Sequence, residues 1–335
     1  VYLTSKNYTA AYESISKIKN LSPKLRDTKQ YLEYQLGTEA FTAGNFNLAI
    51  REFTKAIQTA PNGRYLGDSY YWRGESFYRT RELARSASDF NAFLNTPNAK
   101  SNANYTQAFY ALGYSLFGQK KYTESLSWFL KYINEEKNRG SATYADALNR
   151  IGDAYFSNRN FVKADEYYGK AMQTNYNGDY ALFQSAYMSG INKNYQQKIS
   201  KLEQLLSKYP NSEYGDDALY EIGRSYVMLE NNAKTIETYN RLITNYPNSN
   251  FAPKAELETG MVYFNQNDYA KAIPAFKKVI SDYPASEEAG TALESLETIY
   301  INTNNVDEYL KYAKSLGKKV ESGTISRADS IQFVA

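Results

Sequence analysis

The chain has 335 residues, and 39 Lys and Arg against 36 Asp and Glu leave a net charge of +3, without the basic excess that nucleic-acid binding requires. There is no cysteine and no histidine, which removes disulfides, thiolate metal sites, cysteine nucleophiles and the commonest general base and metal ligand. No stretch approaches the ~20 apolar residues of a membrane span, and the 34 tyrosines are the main compositional excess.

The first element, 1–29, reads as a partial hairpin: Tyr2, Ala11, Ile15, Ile18 and Pro23 hold places that recur later, and the front of the unit falls before residue 1. The chain is therefore expected to be a fragment of a longer repeat protein. Units anchored on Gly37, Gly74, Gly113 and Gly152 follow at spacings of 37, 39 and 39 residues and fill 30–174 as repeats 1–4. Gly74 leads Phe77, Ser86, Phe90 and Phe93; Gly113 leads Leu116, Ser125, Phe129 and Tyr132. The extra residues, 97–104 and 137–141, are expected in loops. The stretch 175–215, anchored on Ala186, is the most degenerate repeat, with Ser189 at an aromatic place and Lys198 at a small one. A hinge or a change of superhelical pitch is expected there. Repeats 6–8 occupy 216–325. Gly223 and Gly260 stand 37 residues apart and carry Tyr226 and Tyr263, Thr235 and Ala272, Tyr239 and Phe276, Pro247 and Pro284 in step. The last repeat has Glu297 and Tyr309 at the two close-approach places, and 326–335 reads as the start of a further repeat.

A period near 37 marks a repeat architecture. Apolar residues three and four apart, such as Leu219, Ile222 and Tyr226, form one stripe of a first helix. Asn and Asp break it, a second stripe follows (Ala272, Phe276, Val279, Ile280), and proline ends it. The glycine and the later small residue lack bulk, so the two backbones are expected to approach closely. Each antiparallel hairpin is too small to bury its own apolar faces, and stacking buries them. Ser212, Ser249 and Ser286 read as helix N-caps, and Pro274 predicts a bend or a late helix start.

These residues resemble the tetratricopeptide repeat family, whose pattern is matched by Leu36-Gly37, Ala49, Phe53, Ala56 and Pro61, departing at Ala40. The resemblance implies an all-α, right-handed superhelical solenoid of antiparallel helix hairpins. It also implies a protein or peptide partner held in a concave groove. Tyr-Pro-Asn-Ser at 209–212 and 246–249, with Ala-Leu-Tyr-Glu-Ile-Gly at 218–223, resembles repeats of bacterial cell-envelope proteins. That implies a periplasmic or outer-membrane-associated location, with the cytoplasm as the alternative. The Lys and Asn clamp with which chaperone-binding members grip a peptide carboxylate is absent from the matching positions.

No enzyme is expected. Glu135-Glu136, Asp216-Asp217 and Glu287-Glu288 are neighbours in sequence, about 100° apart on a helix, and do not form catalytic pairs. There is no phosphate loop, nucleophile elbow or metal spacing, so no cofactor is expected either. Arg64, Arg73, Arg79, Arg81 and Arg85 could hold an anion or simply rim a helix pair. The candidate site is aromatic. Tyr110, Tyr114 and Phe117 stand at i, i+4 and i+7, as do Tyr71, Glu75 and Tyr78, and Phe183 and Tyr187 repeat the first step. With Tyr31, Tyr34, Phe156 and Tyr220 they define the expected partner-binding face. The competing reading is that the rings pack between successive first helices. A glycan-capture lipoprotein is the alternative function, and self-association through exposed terminal repeats is expected at the cut ends.

Overall fold

The computed structural model describes residues 7–317, and within them every regular element is helical. A single helix, α1 (Tyr8–Ser16), precedes eight hairpins. In the first unit, which runs to Ala181, the hairpins are α2 (Pro23–Thr42) with α3 (Phe46–Thr59), α4 (Leu66–Arg79) with α5 (Leu83–Leu94), α6 (Tyr105–Gly118) with α7 (Tyr122–Glu135), and α8 (Ala142–Ser157) with α9 (Phe161–Ala171). The boundary falls inside α10 (Gly178–Ile191), which pairs with α11 (Tyr195–Lys208). The second unit continues with α12 (Gly215–Met228) and α13 (Asn232–Asn245), α14 (Ala252–Asn265) and α15 (Tyr269–Asp282), and α16 (Glu287–Asn302) and α17 (Val306–Ser315). The chain is an all-α solenoid of helical hairpins. Tyr2 and the opening repeat expected at 326–335 lie outside the described residues.

One turn is used eight times. Gly44, Arg81, Lys120, Arg159, Lys193, Glu230, Asn267 and Asn304 each stand seven residues past the anchor, with φ between 55° and 76°. The backbone then closes the first helix with two bonds: Lys120 N–H donates to Phe117 O at 2.8 Å and Lys121 N–H to Leu116 O at 3.0 Å. That is a Schellman closure, which satisfies carbonyls the helix would otherwise leave open. The next residue caps the second helix. Asn45, Asn160, Asn194, Asn231 and Asp268 accept a backbone N–H with their side chains, while Glu82, Lys121 and Asn305 make no such bond.

The anchor glycine clears a ring, where a close approach of two backbones was expected. A Cβ at Gly260 would lie 2.6 Å from the ring of Phe276, and one at Gly113 2.9 Å from that of Phe129. Phe53, Phe90, Phe129, Tyr168, Tyr239 and Phe276 fill this place in six hairpins, each at most 1% exposed. Where the ring is missing the anchor grows: Ala186 goes with Leu202, and Glu297 with Ala313. The small residue twelve past the anchor abuts the first helix directly, as Ser125 Oγ donates to Gly113 O at 2.8 Å and Ser86 Oγ to Gly74 O at 2.9 Å.

Three local expectations are corrected. Ser286 does cap α16, but Ser212 and Ser249 lie ahead of their helices and accept from Tyr214 and Phe251 N–H, because α12 and α14 start two residues later in the repeat than α16. The pair Glu287 and Glu288 in the first turn of α16 suits an earlier start at the positive end of the helix dipole. Pro274 does not delay α15, which begins at Tyr269 with Asp268 as its cap. Ile18 is 43% exposed, beyond the end of α1.

Candidate functional site

Most of the rings expected on a partner-binding face have a structural employment that itself repeats. Tyr34, Phe183 and Tyr220 each stack on the aromatic residue 31 positions later, at the threshold of the next first helix. The pairs are Tyr34 with Tyr65 at 5.1 Å, Phe183 with Tyr214 at 5.3 Å and Tyr220 with Phe251 at 4.6 Å, inclined by 23°, 24° and 18°. Tyr31 joins the first of these, edge-on to Tyr8 and tilted against Tyr65. Phe117 and Phe156 pack on the ring five positions later, Tyr122 and Phe161, across the hairpin turn, as do Phe41 on Phe46 and Phe264 on Tyr269. Tyr71 is 4% exposed and rests on Phe90 and Phe93, so its ring belongs to the core and not to an accessible face. Such pairs add about 0.5–1.5 kcal/mol beyond their buried area, which suits staples within and between hairpins.

In the first unit Tyr78, Tyr110 and Tyr114 remain, and they converge. Together with Glu75, Arg79, Gln107 and Ala111 they line a concavity of about 440 Å³ between α4 and α6. Tyr78 meets Tyr114 edge-on at 6.4 Å, and Tyr110 and Tyr114 meet at 5.0 Å above the buried ring of Phe129. The position 31 residues after Tyr110 is Ser141, so no ring from the next hairpin stacks there.

A polar network behind the pocket fixes these rings. Tyr110 Oη donates to Asp146 Oδ2 at 2.8 Å, and Tyr114 Oη donates to the same oxygen. Arg150 lies beside Asp146 (3.6 Å) and pairs with Asp153 at 2.6 Å, while Tyr168 and Tyr180 both donate to Asp153 Oδ1 at 2.7 Å. Burial, then the charge of Asp146, pushes the phenols of Tyr110 and Tyr114 far above the ordinary tyrosine range. Burial works against the Arg150 charge, but Asp153, Tyr180, Tyr114 and Asp146 together outweigh it and raise its pKa. Hydrogen bonds to a charged group contribute about 1.5–3 kcal/mol each, so the two on Asp146 hold Tyr110 and Tyr114 in place, while Arg150 Nε and Asp153 Oδ2 stay buried without a hydrogen-bond partner among the described residues. The hydroxyls expected to face water are thus turned inward, and the pocket presents fixed ring surface. Phenols held this firmly protonated are poor general bases.

Asp146, Arg150 and Gln107 were not singled out by sequence reasoning; Asp146, Arg150 and Asp153 share one face of α8 by their spacing, which was the available signal. Glu75 sits in the pocket without a hydrogen bond or ion pair among the described residues, and burial raises its carboxyl against the pull of Arg79. The arginine cluster disperses: Arg73 holds Asp89 through two bonds of 2.6 and 2.8 Å, and Arg85 pairs with Glu82. Tyr187 lies in the second unit, 43% exposed, on the wall of a separate concavity. Among the described residues no carboxylate cluster could hold a metal, and no helix is long and apolar enough to cross a membrane.

Stacked hairpins with a ring-lined concave pocket define a helical-repeat protein of the kind that presents an extended binding surface. Tetratricopeptide repeat profiles match residues 34–103, 145–177, 180–212, 217–249 and 254–286, and the chain belongs to the tetratricopeptide repeat family. Proteins of this family generally act as protein–protein interaction scaffolds. The fold is similar to the C-terminal part of a TPR repeat-containing protein from Cytophaga hutchinsonii, with a TM-score of 0.65 and 17% identity over 78% of this chain and 99% of the other. A tetratricopeptide repeat protein from Parabacteroides merdae is similar at a TM-score of 0.51 and 15% identity, over 79% of this chain and 98% of the other. No curated protein matches the chain significantly.

Proposed function

We propose that the chain is a non-enzymatic scaffold that binds an extended segment of a partner protein, and that Tyr78, Tyr110 and Tyr114 form its seat in the first unit. The observation that carries this reading is the division of labour among the rings. The rings that pair at the threshold of the next hairpin or across a hairpin turn recur at fixed spacing, and in the first unit three accessible rings outside that scheme line one pocket. Tyrosines immobilised in advance lose little entropy on binding and offer large apolar area, the combination found in hot spots. A glycan platform would need a flat exposed ring pair. The stacked pairs at Tyr34, Phe183 and Tyr220 are half-buried between hairpins and lend it no support. The same reading keeps the repeat at 175–215 as a hinge between 30–174 and 216–325. It sets the chain at the bacterial cell envelope on the strength of the Tyr-Pro-Asn-Ser runs.

The test is selection of peptides from a random display library against the purified chain, followed by affinity measurements on variants. Tyr78→Ala, Tyr110→Ala and Tyr114→Ala are each expected to weaken a selected peptide by about 1–2 kcal/mol. Tyr78→Ala is the cleanest, since that ring makes one edge contact and no hydrogen bond among the described residues. Peptides bound equally by the wild type and all three variants would end the proposal.

A further inference from the structure

The concavity of the second unit arises from a missing pair of side chains. In four hairpins a ring four residues past the anchor packs on a ring five residues later and closes the turn end of the hairpin. In the hairpin of α10 and α11 the first of these places is Gly190, and in the next hairpin the two places are Val227 and Asn232. Without the closing ring twice in succession, Tyr195 has no ring partner among the described residues. A space of about 490 Å³ opens beside it, walled by α10, α11 and α12.

Its rim is apolar and its floor is polar. Tyr187, Ile191, Val227 and Met228 are 43%, 37%, 38% and 59% exposed, a contiguous group on a surface where single exposed apolar residues are the norm. On the floor, Glu221 holds both nearby cations, Lys198 directly and Arg224 at 3.2 Å. Glu258 of α14 has no hydrogen bond or ion pair among the described residues, and burial raises its carboxyl against the opposing charge of Arg224. The Tyr239 hydroxyl, on a side chain 0% exposed, also has no hydrogen-bond partner there. The floor thus carries two cations and two carboxylates, and Glu258 is the carboxylate without a direct partner, under an apolar lip.

We propose that this concavity is a second peptide-binding site, which seats a lysine or arginine side chain flanked by apolar residues of a partner segment. Such a side chain has an aliphatic stem and a charged head. The stem lies against Ile191, Val227 and Met228, and the head meets Glu258, with the Tyr239 oxygen accepting a further N–H. Methionine at the lip adapts to flanking residues of varied shape. An acidic side chain would instead place a further carboxylate beside Glu258. The site stands in the second unit and does not rest on the tyrosine pocket of the first.

The experiment titrates the whole chain with a labelled peptide carrying Leu-Lys-Leu, with its Leu-Glu-Leu counterpart and with spermidine, by fluorescence anisotropy and methionine-methyl NMR. Of the four methionines, Met228 is the one described as strongly exposed, and its methyl resonance should move on addition of the lysine peptide. Glu258→Gln, which keeps the shape of the side chain, is expected to weaken that peptide about tenfold or more, the loss of one charge-assisted hydrogen bond. The Met228 methyl lies on the second concavity and reports this site alone, which separates the outcome from the fate of the first pocket. The proposal is overturned by a static Met228 resonance, by equal binding of the lysine and glutamate peptides, or by a Glu258→Gln variant with wild-type affinity and intact helical circular dichroism. Spermidine moving Met228 as strongly as the peptide would also overturn it, because a bare cation would then suffice.

Discussion

Replacing Gly260 with alanine should destabilise the protein, although the change favours a helix. In an exposed helix interior Gly→Ala gains about 1 kcal/mol. Here the new methyl would stand 2.6 and 2.7 Å from two carbons of the Phe276 ring, well inside ordinary contact. That ring is 0% exposed and packed on all sides, so it cannot swing away. Overpacking of this kind costs about 1–3 kcal/mol, and a contact this short belongs at the upper end, leaving a net loss of about 2 kcal/mol. Phe276→Leu alone creates a small void and should cost about 1–2 kcal/mol. In that background the clash is gone, as in the hairpin that pairs Ala186 with Leu202. Gly260→Ala should then become stabilising by up to about 1 kcal/mol. Urea denaturation of the four proteins, followed by circular dichroism, gives the coupling energy directly. A Gly260→Ala protein that is more stable than wild type would refute the account of the anchor glycine.

Lys121→Asn should stabilise the α6–α7 hairpin by about 1 kcal/mol, because the backbone at Lys121 (φ −85°, ψ 63°) nearly matches that of the capping Asn194 (φ −86°, ψ 70°); an unchanged urea midpoint would count against the cap. At alkaline pH the buried phenols Tyr71, Tyr110, Tyr114, Tyr168, Tyr180 and Tyr239 keep their protons in the folded chain, while unfolded tyrosine releases its own near pH ~10. The folded state then binds more protons, so this stability is complete below pH ~10 and declines as pH rises through the elevated values. Tyrosinate absorbance should show one set of tyrosines ionising near pH ~10 and a second set only as helical circular dichroism disappears; a single ionisation step with the helices intact would contradict it.

The order of helices was legible because it is written in local spacing: glycine anchors, Asn and Asp breaks, and prolines that end the second helix. The ring that each anchor clears was legible too, but its meaning was misassigned, since Gly260 and Phe276 meet across the hairpin and their spacing alone does not say which atoms touch. The candidate site was harder. Tyr34, Tyr110 and Tyr220 hold the same place in their repeats, yet Tyr34 and Tyr220 stack on Tyr65 and Phe251 while Tyr110 lines a pocket. The deciding residue lies 31 positions on, in another hairpin, and is a serine only after Tyr110. The partners of Asp146 were unreadable for the same reason: its bonds to Tyr110 and Tyr114 join α6 to α8, and side-chain pairing over that separation leaves no periodic trace.

The turn shared by all eight hairpins also bears on how the chain is made. Each turn is closed by bonds between residues no more than five apart, and each hairpin leans chiefly on its sequence neighbours. A ribosome delivering this chain therefore never has to wait for a distant partner. Once roughly 40 residues of a repeat have emerged, a hairpin can close and dock on the one already formed, so apolar surface is covered at nearly the pace of synthesis. Such low contact order favours fast folding and brief exposure to aggregation.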